Sequence, residues 1–158
     1  MNALTSGLRL RIDGSSQSDD VLFEERLSPT FLDLRPDDEL SAASDIVMSG
    51  RAYRASEWVM IEGRVTVSMR LPCAVCNEMC EFTIDLMPWK QSIPASSVKD
   101  GMVDISEALR EAILIEVPFF KKCGGQTCHN SNEISQYLTT DVPAEDGEDR
   151  NQPFLSLL

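Results

Sequence analysis

Four of the five cysteines in this 158-residue chain lie in two short clusters, and thiolates at such spacings can bind a metal ion. The first pair, Cys73 and Cys76, encloses two residues, and the second pair, Cys123 and Cys128, encloses four, two of them glycines. A tight turn that carries two thiolates is called a knuckle here, and two knuckles can supply the four tetrahedral ligands of a structural zinc ion. The sequence therefore predicts a structural zinc site formed by Cys73, Cys76, Cys123 and Cys128.

Alternatives to this zinc site remain at the level of sequence. His129 directly follows Cys128 and could replace it as a ligand. The four thiols could also be unligated, or the first pair could be a redox couple, although that motif lacks the helix N-terminus that lowers the pKa of a redox thiol. Cys80 is assigned to the core, because it alternates in phase with Phe82 and Ile84 on the predicted return strand.

Few other residues are suited to catalysis. The chain has a single histidine, and it contains no glycine-rich phosphate-binding loop. Acidic pairs such as Asp37 and Asp38 lie in polar segments, where solvated surface is the usual role. The chain is therefore predicted not to be an enzyme and to have no small-molecule substrate.

Charge and hydropathy limit the possible partners and compartments. The net charge is −12, which favours a basic protein partner or high solubility over broad binding to a phosphate backbone. No apolar run approaches the ~20 residues of a membrane span, and residues 1–13 lack the apolar region of a signal peptide. We therefore expect no membrane association and a cytoplasmic location, where thiols stay reduced.

Alternation of apolar and polar residues predicts an antiparallel sheet. A short strand is expected at residues 8–12, and longer ones at 46–54, 58–69 and 80–86, with a bend or bulge at Gly63. Residues 88–101 are predicted to form a loop. With the helix described next, the expected fold class is α+β: a small antiparallel β-rich domain with one principal helix and zinc-ribbon-like cysteine knuckles.

One principal helix is predicted at residues 105–116. Asp104 is the expected N-cap, with Glu107 three residues later as in a capping box, and Pro118 ends the helix. Leu114 and Ile115 widen its apolar face, so the helix is expected to be well buried. It leads directly into the second knuckle.

Basic and aromatic residues flank the two knuckles. If the knuckles meet, four basic residues could form a local patch that contacts RNA or a partner, although scattered surface charges explain them equally well: Arg64, Arg70, Lys121 and Lys122. Four aromatic residues could stack on bases, but packing in or at the edge of the core is favoured for them: Trp58, Trp89, Phe119 and Phe120.

The domain organisation follows from composition. Residues 1–138 are predicted to form one domain, residues 139–150 an acidic disordered linker, and residues 151–158 an apolar tail. The tail contains Phe154 and Leu155. It could fold back on the domain, or it could be a peptide that docks on a partner.

Three segments together resemble the YceD family, also known as the DUF177 domain. Residues 64–76 resemble its strand that runs into a Cys-x-Arg-Cys element, with Val75 in place of the frequent arginine. Residues 104–118 resemble its acidic-capped helix ending in proline. Residues 151–158 resemble its Asn-Pro-Phe-x-x-Leu tail, with an inserted glutamine and no closing lysine. The best-matched part of the domain is residues 45–128.

This resemblance implies a function. Members are implicated in 23S rRNA accumulation or processing and in assembly of the large ribosomal subunit, so the chain is expected to be a non-enzymatic factor of this kind. Its implied partners are a ribosomal protein or a large-subunit assembly factor, with rRNA as a further possibility. The alternatives are a zinc-ribbon module that binds RNA directly, and an enzyme that is either a thiol oxidoreductase or a nuclease.

Overall fold

The computed structural model of the protein describes residues 7–12 and 20–133. Two short 3₁₀ helices, Pro29–Leu32 and Ala95–Ser97, accompany the regular elements of these residues. The strands and the helix are β1 (Arg9–Arg11), β2 (Val21–Leu27), β3 (Ser41–Ala42), β4 (Ile46–Ala55), β5 (Trp58–Pro72), β6 (Met79–Pro94), β7 (Met102–Asp104) and α1 (Ser106–Ile115). The predicted α+β class, mostly antiparallel sheet with one main helix, is confirmed.

The long strand β5 is the centre of a five-stranded antiparallel sheet. On one side it pairs with β4, and beyond the end of β4 it pairs with the short β3. On the other side it pairs with β6 over most of its length, and β2 pairs with the outer side of β4. A separate two-stranded ribbon joins β1 to β7. The predicted strands at residues 46–54, 58–69 and 80–86 are therefore all present.

A bulge in β6 changes which side chains face the core. Gly63 pairs with Trp89, but Val65 pairs with Leu86, so β6 carries one extra residue at this point. Before the bulge the even-numbered Ile84 faces the core, and after it the odd-numbered Trp89 does so, with 6% exposure. Gly63 is needed because a Cβ there would lie 2.4 Å from the carbonyl oxygen of Ser49 on β4.

The predicted loop at residues 88–101 is wrong over its first part. Strand β6 continues through it to Pro94, and a 3₁₀ turn then leads towards β7. The alternation of apolar residues changes phase at the bulge, and a pattern search that assumes one fixed phase stops there. The expected bend or bulge at Gly63 is confirmed, although the extra residue belongs to the partner strand.

The core lies between one face of the large sheet and a layer formed by α1, β1 and β7. From α1 it receives Leu109 and Ile113, both fully buried, which lie four residues apart on one side of the helix. Leu10 contributes from β1 and Val103 from β7. The helix is thus held against the sheet by a narrow row of apolar side chains.

The start of α1 differs from the predicted capping box. The N-cap position is occupied by Ile105, which makes no side-chain capping bond, and Asp104 belongs to β7. Asp104 still accepts hydrogen bonds from the backbone N–H and the hydroxyl of Ser106, at 2.9 and 2.6 Å, and these bonds lower the pKa of its carboxyl group. The backbone N–H of Leu8 donates to the same hydroxyl, so Ser106 joins β1 to the helix start.

The exposed side of α1 is wider than predicted. Leu114 is half-buried, but Ile115 is 70% exposed, so the expectation that both widen a buried face is wrong for Ile115. The helix ends at this residue, one before its predicted last residue Glu116, which is the C-cap. The predicted acidic linker and apolar tail, residues 139–158, lie outside the described residues.

Candidate metal centre

The first knuckle is the tight end of the β5–β6 hairpin. Pro72 pairs with Met79 as the last ladder pair before the turn. Inside it, the backbone N–H of Cys73 donates to the carbonyl of Glu78 at 2.7 Å, and that of Asn77 donates to the carbonyl of Cys73 at 3.0 Å. Asn77 has a φ of 63°, a left-handed conformation that asparagine tolerates better than most residues. The hairpin therefore fixes the backbone that carries the first pair of thiols.

The second knuckle is held against the first by backbone contacts. After α1 the chain runs beside the hairpin end, where Lys121 forms a parallel bridge with Cys73 and its carbonyl accepts from the N–H of Ala74 at 2.8 Å. The N–H of Cys123 then points at the sulfur of Cys73, at 3.4 Å. The position of the end of α1 therefore places the second pair of thiols next to the first pair.

Two glycines allow the second knuckle to turn. Gly125 has a φ of 83°, which a side chain would strain, and its N–H donates to the carbonyl of Lys122 at 3.0 Å. A Cβ on Gly124 would lie 2.3 Å from the carbonyl oxygen of Thr127. The same Cβ would be 2.7 Å from the ring of His129, so the imidazole packs over this glycine. The four-residue spacing of the pair therefore works because these positions carry no side chain.

The four predicted ligands come together. The sulfurs of Cys73, Cys76, Cys123 and Cys128, the cysteine quartet, all lie within 4.8 Å of one another. The Cys76 and Cys123 sulfurs are 3.8 Å apart, and those of Cys123 and Cys128 are 3.5 Å apart. These separations are much longer than the ~2.05 Å of a disulfide, and the thiols are free. The quartet could hold one metal ion.

Neighbouring groups give the thiols of the quartet different acidities. The backbone N–H of Cys76, with smaller contributions from those of Val75 and Cys123, lowers the pKa of Cys73 to about 6. Burial raises the pKa of Cys128 to about 12. Like charges this close oppose one another, so four thiolates can coexist here only around a cation. The arrangement therefore favours a metal over four ionised thiols.

His129 contributes its backbone to the quartet. Its N–H donates to the sulfur of Cys123 at 3.3 Å. The sulfur of the preceding Cys128 is buried within the quartet. The group that could hold a metal ion, within residues 7–12 and 20–133, consists of four cysteines, so the alternative ligand His129 does not belong to it.

The fifth cysteine lies beside the quartet without belonging to it. Cys80 is buried on the core side of β6, as its alternation with Phe82 and Ile84 predicts, and its side chain packs in one small cluster with the quartet. Burial is the main cause that raises the pKa of Cys80, and the nearby Cys73 adds to it. A neutral thiol there acts as a small apolar side chain.

The four basic candidates are distributed along the hairpin. Arg64 and Arg70 lie six residues apart on β5, about 20 Å along an extended strand. Arg64 pairs through two nitrogens with Asp85, with 2.8 Å from Nε to the carboxylate, and Arg70 pairs with Glu81 at 3.3 Å. Lys121 and Lys122 lie next to the quartet, and the Lys121 ammonium stacks over the ring of Phe82 at 5.1 Å.

The aromatic residues divide into two groups. Trp89 is buried in the core as predicted. Core packing is wrong for Phe119, which is fully exposed, and for Phe120, which is 68% exposed, because the chain leaves the helix layer after Pro118 to reach the second knuckle. Trp58, at the start of β5, is half-exposed. Phe154 and Leu155, predicted partner contacts, lie outside the described residues.

Sequence reasoning did not identify the groove beside the bulge in β6, because its residues meet only through that bulge and the end of α1. Met87 and Ile115 lie in it, and both are largely exposed. The signal available in the sequence was weak: an isoleucine at the end of a helix whose apolar row is already complete with Leu109 and Ile113.

Comparison with known proteins gives no match: no family model fits the chain, and neither the curated proteins nor the solved structures contain a similar one.

Within residues 7–12 and 20–133, α1 and the other helices are not long and apolar enough to cross a bilayer.

Proposed function

We propose that this chain is a non-enzymatic cytoplasmic factor for 23S rRNA accumulation and large-subunit assembly, acting through contacts with a ribosomal protein or an assembly factor. The observation that carries the proposal is the sequence resemblance of residues 64–76 and 104–118 to the YceD family. Those two segments are also the ones that the cysteine quartet joins, since one ends at the first knuckle and the other precedes the second.

The metal of the quartet is zinc in this proposal, and its role is structural. With zinc–sulfur bonds of about 2.3 Å, neighbouring sulfurs of a tetrahedral site lie about 3.8 Å apart. Two of the six sulfur–sulfur separations, 3.8 and 3.5 Å, are close to that value, and all six are within 4.8 Å. Four cysteine ligands leave no open position for a substrate, so zinc would connect the hairpin end to the segment after α1 and contribute to folding.

Protein contacts are favoured over direct RNA binding by the charges of the surface. The chain carries a net charge of −12. Arg64 and Arg70, the two arginines of the suggested patch, each have a carboxylate partner, so a phosphate group would compete with Asp85 and Glu81 for them. Long-range repulsion would also slow the approach of a polyanion. Neither the competition for the two arginines nor the long-range repulsion applies to a basic protein.

Direct RNA binding is the second candidate, and one observation favours it. Lys121 and Lys122 lie beside two exposed phenylalanines at the second knuckle, and cations next to aromatic rings are typical of sites that bind single-stranded RNA. This candidate predicts affinity for a 23S rRNA fragment that falls steeply with added salt and with substitution of both lysines by glutamine.

A thiol enzyme is the third candidate, favoured by the low pKa of Cys73, about 6. The metal content of the purified protein distinguishes a thiol enzyme from a structural zinc site. A redox couple would leave the purified protein without zinc and with one reducible disulfide, whereas the structural site gives about one equivalent of zinc that is lost with Cys73→Ser. The nuclease alternative is tested by incubating the loaded protein with a 23S rRNA fragment and looking for cleavage.

The central experiment is co-sedimentation with ribosomal particles. The full chain, expressed with an affinity tag, should sediment with large-subunit precursors on a sucrose gradient and should retain ribosomal proteins in a pulldown after nuclease treatment. Cells that lack it should accumulate less 23S rRNA. Loss of all ribosomal material on nuclease treatment would favour the RNA-binding candidate. Recovery without any ribosomal component would overturn the proposal.

A further inference from the structure

A groove of about 550 Å³ runs between the end of α1 and the bulged part of β6. The helix side is formed by Ala112, Ile115 and Glu116, and the strand side by residues 85–90. Its volume lies within the ordinary range of binding pockets in proteins. The floor is the edge of the core, since Trp89 lines the groove and is itself buried.

Two exposed apolar side chains line this groove from opposite sides. Met87, in the bulge, is 71% exposed, and Ile115 is 70% exposed. Ile115 follows Glu107 and Glu111 at intervals of four on the outer side of α1, where a polar residue would be expected. Single exposed apolar residues are ordinary, whereas exposed apolar side chains that line a shared groove are typical of interaction sites.

The charges in the groove leave one carboxylate available. Asp85 is paired with Arg64, and Lys90 lies 3.5 Å from a carboxylate oxygen of Glu62. Within the described parts of the chain, the carboxylate of Glu116 has no ion-pair partner. The helix side of the groove is therefore apolar at Ile115 and negative at Glu116, with Glu111 nearby on the same exposed side of the helix.

We propose that this groove binds a short segment of a basic protein, one that presents a large apolar side chain next to a lysine or arginine. The apolar side chain lies between Met87 and Ile115, and the cation pairs with Glu116. The overall charge of −12 favours the approach of such a segment and opposes that of RNA. The inference rests on the proposed function, because it assigns the contact with a ribosomal protein or assembly factor to a specific surface.

The test uses the zinc-loaded full chain and a short fluorescent peptide of leucine, lysine and serine. A matched peptide carries glutamate in place of lysine. We expect the lysine peptide to bind and the glutamate peptide not to bind. Ile115→Ser and Glu116→Gln should each weaken binding about fivefold to tenfold, the usual effect of removing a central contact. Both side chains are at the surface, so both variants should fold.

The control variant is Leu22→Ser. Leu22 is 80% exposed and apolar like Ile115, but it lies on β2, at the opposite edge of the sheet from β6. Its substitution should leave peptide binding unchanged. Equal losses in Leu22→Ser and Ile115→Ser, or equal binding of the two peptides, would overturn the proposal, because binding would then depend on general hydrophobicity.

Two alternative occupants of the groove, RNA and the chain's own tail, would give different results. If a 23S rRNA fragment displaces the peptide, the surface binds RNA and the proposal is wrong. If Phe154→Ser and Leu155→Ser shift the methyl NMR signals of Met87 and Ile115 without peptide, the chain's own tail occupies the groove, and the proposal is again wrong. Normal methyl signals in those variants support a partner as occupant.

Sedimentation separates this inference from the proposed function. If the wild-type chain sediments with large-subunit precursors and Ile115→Ser still does so fully, the groove assignment fails while the function stands. If the wild-type chain itself does not sediment with them, the proposed function fails whatever the peptide result. Loss of sedimentation in Ile115→Ser but not in Leu22→Ser supports both.

Discussion

The apolar core and the cysteine quartet hold different parts of the same hairpin by different means. Along most of β5 and β6, large apolar side chains pack against α1 and the β1–β7 ribbon. At the end of the hairpin, the buried cluster consists of cysteines alone. Small thiol side chains bury little apolar area, so they contribute little of the hydrophobic stabilisation that holds the core. The comparison indicates that the core folds the domain, whereas the quartet depends on a metal to fix the knuckles.

The largest effect is expected from the core. Leu109→Ala removes a fully buried side chain between α1 and the sheet, and it should lower the free energy of unfolding by about 2–5 kcal/mol. Ile115→Ala, on the exposed side of the same helix, should change it by less than about 0.5 kcal/mol. Urea unfolding followed by circular dichroism measures both values. Similar losses in the two variants would contradict the assignment of the helix faces.

Metal removal should have a local effect. Chelation of the zinc-loaded chain should increase amide hydrogen exchange at least about tenfold in residues 73–80 and 119–129, because few backbone contacts then hold the two knuckles together. Amides of Val65 and Val67, in the core part of β5, should keep their protection. Cys128→Ser should reproduce the chelated state. A rise in exchange throughout the sheet would show instead that the core requires the metal.

Acid should release the metal as protons compete for the thiolates. In the metal-free state the Cys73 pKa, near 6, lies below its ordinary value of 9.0, so its thiolate persists down to about pH 6 and is lost below it. The pKa of Cys128, near 12, means that at neutral pH this thiol loses its proton to solvent only when a metal takes the place of that proton. Zinc affinity should therefore weaken as the pH falls, most steeply below the Cys73 pKa of about 6, where all four thiols take up a proton when zinc leaves.

A zinc-sensitive dye measures this release. Cys80→Ala should show the same pH profile, because Cys80 is not among the ligands. A profile that moves with Cys80→Ala would place this thiol in the metal site and would revise the separation between core and quartet.

The smallest effect is expected on the outer face of the sheet. Arg64→Gln removes the pair with Asp85, and exposed pairs of this kind contribute little to the free energy of unfolding. The pair keeps the pKa of Asp85 below its usual range, so its contribution should disappear as the pH falls through that lowered value. Unfolding at neutral and acidic pH measures the difference. A loss as large as that of Leu109→Ala would mean that the pair holds the sheet together.

Much of the fold was predictable because strands and helices impose local periods. The alternation of Val65, Val67 and Met69 identifies β5, and the spacing of Leu109 and Ile113 identifies the buried side of α1. The N-cap was misplaced by one residue, because Asp104 is still paired with Arg9 in the β1–β7 ribbon and the helix begins only after it. The ends of strands and helices depend on such tertiary contacts, whereas the spacing of apolar residues within them does not.

The sequence by itself determined which residues could bind a metal, since two pairs of cysteines at short spacing are a local property of the chain. Only the tertiary structure decided that the pairs meet, because 46 residues separate Cys76 from Cys123 and their distance depends on where β6 and α1 lead the chain. It also decided that Trp89 enters the core and that Ile115 remains outside it. Trp89 is buried because β6 carries an extra residue, and Ile115 stays exposed because α1 covers only a limited width of the sheet surface.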